Sequence, residues 1–249
     1  MGLGTRRRYN RATAVRKSME ASERSERDSK ALRELAVALG VAAAALPGAL
    51  PVARGAESAE SEPLFLFVWL ALIAAPSGAA CAALGLRAWP YGAAVVGAWS
   101  ALATAIAGTS ERVVPTPLWG VLCAGGLFVG GVGCGLALRR TWGAVGALAF
   151  VGLALSLMPI APGILGTPWP SELASAALDA APVSLVVEAS GIDWMRTAGI
   201  YDPAGSDRLA RAPWSGELAA PVCLVLGCAL WGLGALLARA RRPQGSHTP

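Results

Sequence analysis

Residues 118–138 read LWGVLCAGGLFVGGVGCGLAL, and no acidic or basic side chain occurs among them. The nearest charges are Arg112 on one side and Arg139 on the other. An uncharged apolar run of about 18 residues or more is long enough to carry a helix across roughly 30 Å of hydrocarbon. The same pattern recurs along the chain. No charge falls between Glu34 and Arg54, Glu62 and Arg87, Arg87 and Glu111, Arg140 and Glu172, or Glu217 and Arg239. Each gap holds one helix, and we expect spans near Leu35–Val52, Pro63–Leu86, Ala93–Ala107, Leu118–Leu138, Trp142–Ile160 and Leu218–Ala238. Composition agrees: the 249 residues are 55% hydrophobic and 15% charged, whereas a soluble domain carries roughly a quarter charged residues.

Orientation follows from the basic residues, which are retained on the cytoplasmic side of short loops. With alternating spans, residues 1–34, Arg87, Arg139, Arg140 and the tail from Arg239 share one side, and hold sixteen of the 21 Lys and Arg residues. The opposite side holds Arg54, Arg112, Arg196, Arg208 and Arg211, with eleven of the sixteen acidic residues. The expected fold is therefore an all-α integral membrane protein of six transmembrane helices with both termini cytoplasmic, located in a bacterial inner (cytoplasmic) membrane. The net charge of +5 follows from this sorting and is not a nucleic-acid signal.

Two polar segments flank the spans. Residues 13–36 read as a cytoplasmic helix with opposite charges four apart, including Arg16/Glu20, Glu23/Arg27 and Arg24/Asp28. Arg16, Glu20, Arg24 and Arg27 are its candidate contacts for a cytoplasmic partner. The other segment is the extracytoplasmic loop, 161–216, between spans five and six. Ser171 is expected to cap a helix Glu172–Ala181 with Leu173, Ala177 and Leu178 on one face. Pro182 should stop that helix, and a second, apolar one over Val183–Ser190 should dip into the bilayer and end at Gly191. Span six and a tail, 239–249, follow.

Several chemistries lack their residues. The single histidine, His247, lies in the tail, so a serine–histidine pair, histidine-ligated haem and a zinc-protease His pair are not available. No Asp or Glu falls within an expected span, which removes paired intramembrane carboxylates and proton-coupled transport. There is no phosphate-binding Gly-x-x-x-x-Gly-Lys-Ser/Thr loop. We expect no enzymatic activity, no cofactor and no metal. The cysteines, Cys81, Cys123, Cys134, Cys223 and Cys228, all fall in spans and read as small packing residues. Gly126-Leu-Phe-Val-Gly130 and Gly131-Val-Gly-Cys-Gly135 supply ridges for close helix packing, expected within the chain rather than between chains. Trp89, Trp119, Trp142, Trp169 and Trp214 fall near span ends, where aromatic rings anchor at headgroup depth.

The loop carries Pro168-Trp169-Pro170-Ser171-Glu172-Leu173 and then Ala180-Ala181-Pro182-Val183-Ser184-Leu185-Val186-Val187-Glu188-Ala189. With the charged N-terminal helix and six spans, this resembles the permease subunits of type-two ATP-binding-cassette exporters. The resemblance implies a permease energised by a separate ATPase subunit, a second permease copy, and loop helices that gate the exit. The chain departs from that family between spans two and three, where only Leu86-Arg87-Ala88-Trp89-Pro90 remains of a longer cytoplasmic segment. The alternative is a non-catalytic structural or assembly subunit that binds other membrane subunits through the loop. Under either reading the candidate outer gate or interface is Pro182, Glu188, Asp193, Trp194, Arg196 and Tyr201.

Overall fold

A run of apolar residues without charges has one way to bury its backbone polar groups in lipid, which is to bond them within a helix. A computed structural model describes residues 62–85, 89–109, 116–138, 142–158, 170–192 and 216–241. They form helices α1 (Glu62–Leu84), α2 (Trp89–Thr109), α3 (Pro117–Ala137), α4 (Trp142–Leu157), α5 (Ser171–Ala180), α6 (Pro182–Ala189) and α7 (Gly216–Ala240). No strand occurs among the described residues. The expected first span, Leu35–Val52, and the N-terminal helix over 13–36 lie outside them.

Three stretches are long and apolar enough to cross a membrane: Pro63–Leu84, Pro117–Ala137 and Leu218–Ala240. Two shorter apolar stretches, Val96–Ile106 in α2 and Trp142–Leu157, accompany them. The helices coincide with expected spans two to six to within a few residues at each end. Three hydroxyls in these helices bond back one turn: Ser100 to the Val96 carbonyl (2.8 Å), Thr104 to Ser100 (2.8 Å) and Ser156 to Gly152 (2.7 Å). Pro76 lies inside α1 and Pro221 inside the first turns of α7. Each removes one helix hydrogen bond, a loss that neighbouring helices compensate in membrane bundles.

Helix α3 is the centre of the bundle, and glycines set how closely its neighbours approach. A Cβ built at Gly131 would overlap the Ala75 carbonyl oxygen of α1, and one at Gly78 would overlap the Phe128 carbonyl of α3. On its other face, a Cβ at Gly126 would lie 2.5 Å from the Cys223 carbonyl of α7, and at Gly133 it would overlap the Leu230 carbonyl. The reverse holds at Gly227 and Gly234, whose Cβ positions fall on the Gly126 and Gly133 carbonyls. Glycine hydrogens therefore point at carbonyl oxygens across both seams, the geometry of weak Cα–H···O bonds. The α3–α7 seam repeats every seven residues on both helices, at 126 and 133 and at 227 and 234, the period of a left-handed helix pair.

The order of these contacts fixes direction. Residues 75, 78 and 82 of α1 meet 131, 132 and 135 of α3 within one continuous seam, and 223, 227 and 230 of α7 meet 126, 130 and 133. Numbers climb together along both pairs, so α1, α3 and α7 run parallel. Their outer faces carry apolar side chains: Val225, Leu226, Leu230, Leu233 and Leu236 of α7 and Phe150, Val151, Leu153 and Leu157 of α4 are exposed. A bilayer is the solvent that such a surface matches. Trp119 and Trp142 are exposed at the first turns of α3 and α4, as expected for anchors.

Candidate functional site

Three parallel helices present their N-terminal ends at one level, each with backbone N–H groups that lack partners in their own helix. The short hairpin α5–α6 sits there. Pro182 is the first residue of α6, where its missing N–H costs nothing and its fixed φ suits the first turn. Val186 and Val187 are fully buried, Ala189 and Ser184 nearly so, and Leu178 of α5 packs into the same core. A Cβ at Gly120 of α3 would meet the Ser190 side chain at 2.8 Å and the Val186 carbonyl oxygen at 3.0 Å, so α6 is seated directly on α3, and it packs on α1 as well.

The end of α6 is closed twice over. Gly191 adopts φ 77, its N–H donates to the Glu188 carbonyl (2.9 Å), and the Ile192 N–H donates to Val187 (3.2 Å). That pair of bonds is the left-handed glycine cap, completed by Ile192 packing onto the core. The last carbonyls of α6 then find a donor on α3. The Thr116 hydroxyl donates to the Ala189 carbonyl (2.9 Å) and the Thr116 N–H to Ser190 (3.1 Å). Ser190 returns its own hydroxyl to the Val187 carbonyl (2.6 Å). One residue of α3's threshold thus ties the buried short helix to the bundle. At the opposite end, Arg241 donates to the Ala137 carbonyl (2.6 Å), joining the C-terminal ends of α7 and α3, where a cation also complements the helix dipole.

Two expectations about this loop change. Ser171 is not the cap of α5: it is the first helical residue, the cap position is Pro170, and the Leu173 N–H donates to the Pro170 carbonyl (3.0 Å). Proline's fixed φ suits the entry to a helix, and no side chain caps α5. Leu173, expected on the buried face with Ala177 and Leu178, is exposed while those two are buried. The Asp179 carboxyl, half-buried in α5, is raised from its ordinary value because burial disfavours its charge.

Of the candidate outer residues, Pro182 and Glu188 are both on α6 and half-buried; Glu188 has a bonding partner. Asp193, Trp194, Arg196 and Tyr201 lie outside the described residues, as do Arg16, Glu20, Arg24 and Arg27. Thr116 was not among the candidates, although a Thr-Pro pair opening an apolar run is a helix-start signal. Its hydroxyl caps another helix, 73 residues away in sequence, instead of its own. No group of three or more His, Cys, Asp or Glu residues able to hold a metal occurs among the described residues.

These features define an all-helical, membrane-embedded protein with a short helix buried at one end of a parallel three-helix core. No family model, characterised protein or solved structure matches the chain.

Proposed function

We propose that the chain is a six-span inner-membrane protein with both termini in the cytoplasm, acting as the permease subunit of an ATP-driven exporter whose energy comes from a separate ATPase subunit. The span count is supported by direction: parallel α1, α3 and α7 require the chain to return between them, through α2 and then through α4. Residues 35–52 supply the remaining span, and the basic residues set the orientation. The observation that carries the exporter reading is α6, a short apolar helix sealed among the outer ends of three spans and followed in sequence by a polar segment. A helix that must leave its seat to open a path is what an outer gate requires, with Pro182 and Glu188 on it and Asp193, Trp194, Arg196 and Tyr201 beyond it. The charged helix containing Arg16, Glu20, Arg24 and Arg27 is the docking point for the ATPase, and a second permease copy completes the path.

Purification from native membranes tests this. A nucleotide-binding subunit should co-purify and be lost on deletion of residues 13–34; a stable monomer with no ATPase contradicts the reading. The apolar faces left exposed on α4 and α7 favour a second reading, a structural subunit held in a larger membrane complex through those faces and the outer loop. In that case replacing Trp194 and Tyr201 together by Ala dissociates a complex seen on a native gel.

A further inference from the structure

Cys123 of α3 and Cys223 of α7 lie at the same depth, six and seven residues past the first residues of their helices, or about 9–10 Å along each axis. Both are buried, and their two thiols lie in contact with each other. Just below them the two helices meet through Gly126, where a Cβ would stand 2.5 Å from the backbone of Cys223 itself. A disulfide needs Cα atoms about 4.4–6.8 Å apart. Helices packed through ordinary side chains keep their axes about 8–10 Å apart, and a glycine seam brings them closer.

We propose that Cys123 and Cys223 form a redox-active dithiol that closes to a disulfide joining α3 to α7 directly beneath α6. Two S–H bonds break and one S–S bond forms. The two electrons and two protons pass to a neutral, membrane-permeant two-electron acceptor of the quinone or azo class, which is reduced to the quinol or the hydrazine. The bond fixes α3 to α7 one turn below Gly120, where Ser190 and Val186 of α6 rest, so the oxidised form holds the seat of α6 rigid. None of this depends on the exporter reading, since it follows from the α3–α7 contact alone.

The test uses full-length protein in detergent or lipid nanodiscs, the azo oxidant diamide, and maleimide alkylation after denaturation. The chain has five cysteines, and the number alkylated should fall to three after diamide and return to five after dithiothreitol. Proteolysis of the oxidised protein should yield one linked peptide pair containing Cys123 and Cys223. Cys123→Ser and Cys223→Ser should each keep all their remaining thiols under the same treatment. Retention of five thiols by the unsubstituted chain overturns the proposal. So does a linked pair involving Cys81, Cys134 or Cys228, or a link between two chains. The peptide analysis needs no variant, so a variant that fails to fold leaves the decision intact.

Discussion

Gly125 and Gly126 are adjacent in α3 and identical in composition, yet replacing each by Ala should move stability in opposite directions. A Cβ at Gly125 meets nothing within 4 Å. Gly125→Ala therefore gains only the helical preference of Ala over Gly, about 0.5–1 kcal/mol. At Gly126 the new Cβ would stand 2.5 Å from the Cys223 carbonyl carbon and oxygen and 2.7 Å from the Leu224 nitrogen. Backbone cannot rotate aside, so the helices must separate. Overpacking of this kind costs about 1–3 kcal/mol, and the lost Cα–H···O contact adds about 0.5–1 kcal/mol. After the propensity gain, Gly126→Ala should be destabilised by about 1–3 kcal/mol, placing the two neighbours about 1.5–4 kcal/mol apart. Reversible unfolding in mixed micelles of increasing SDS, followed by tryptophan fluorescence, measures the difference. Equal shifts at the two positions, or greater stability for Gly126→Ala, would refute the α3–α7 seam.

Thr116→Val removes the hydroxyl bond to the Ala189 carbonyl and should cost about 1–2 kcal/mol, with Thr116→Ser close to unchanged. Faster amide exchange confined to α6 identifies the lost tie. Gly191→Ala places a side chain at φ 77 and should cost about 1–2 kcal/mol, read as earlier exchange of the Gly191 and Ile192 amides. For Asp179, the folded carboxyl is held above its ordinary 3.8, so the folded state favours the proton. The resulting stabilisation is complete below 3.8 and is lost as pH rises through the raised value. Asp179→Asn should remove that slope, and a slope unchanged in the variant would assign it to another group.

The three membrane-length helices α1, α3 and α7 were legible because charge is costly in hydrocarbon, so the gaps between Arg, Lys, Asp and Glu mark them directly. The close of α6 at Gly191 was legible too, because a glycine cap acts locally. Partnership was not. Gly125, Gly126, Gly130, Gly131 and Gly133 read alike in sequence, and only the fold separates the glycines that meet α7 from Gly131, which meets α1, and Gly125, which meets nothing. Thr116 drew no notice because its bonds run to α6, 73 residues away, and no local rule reports such a tie. Cys123 and Cys223 read as unrelated packing residues because their contact depends on two parallel helices beginning at one level. The loop helices were legible from Pro182 and Gly191, but the burial of α6 depends on what lies beneath it.

Direction of crossing is the claim on which the rest stands, and side-specific labelling measures it. In a background lacking the five native cysteines, an impermeant maleimide applied to intact cells should label Ser110→Cys and Ser206→Cys. Thr141→Cys and Ser246→Cys should react only after the membrane is opened. Labelling of Ser110→Cys and Ser206→Cys from opposite sides would contradict a bundle in which α1, α3 and α7 cross in the same direction, and labelling of Thr141→Cys from outside would contradict cytoplasmic termini.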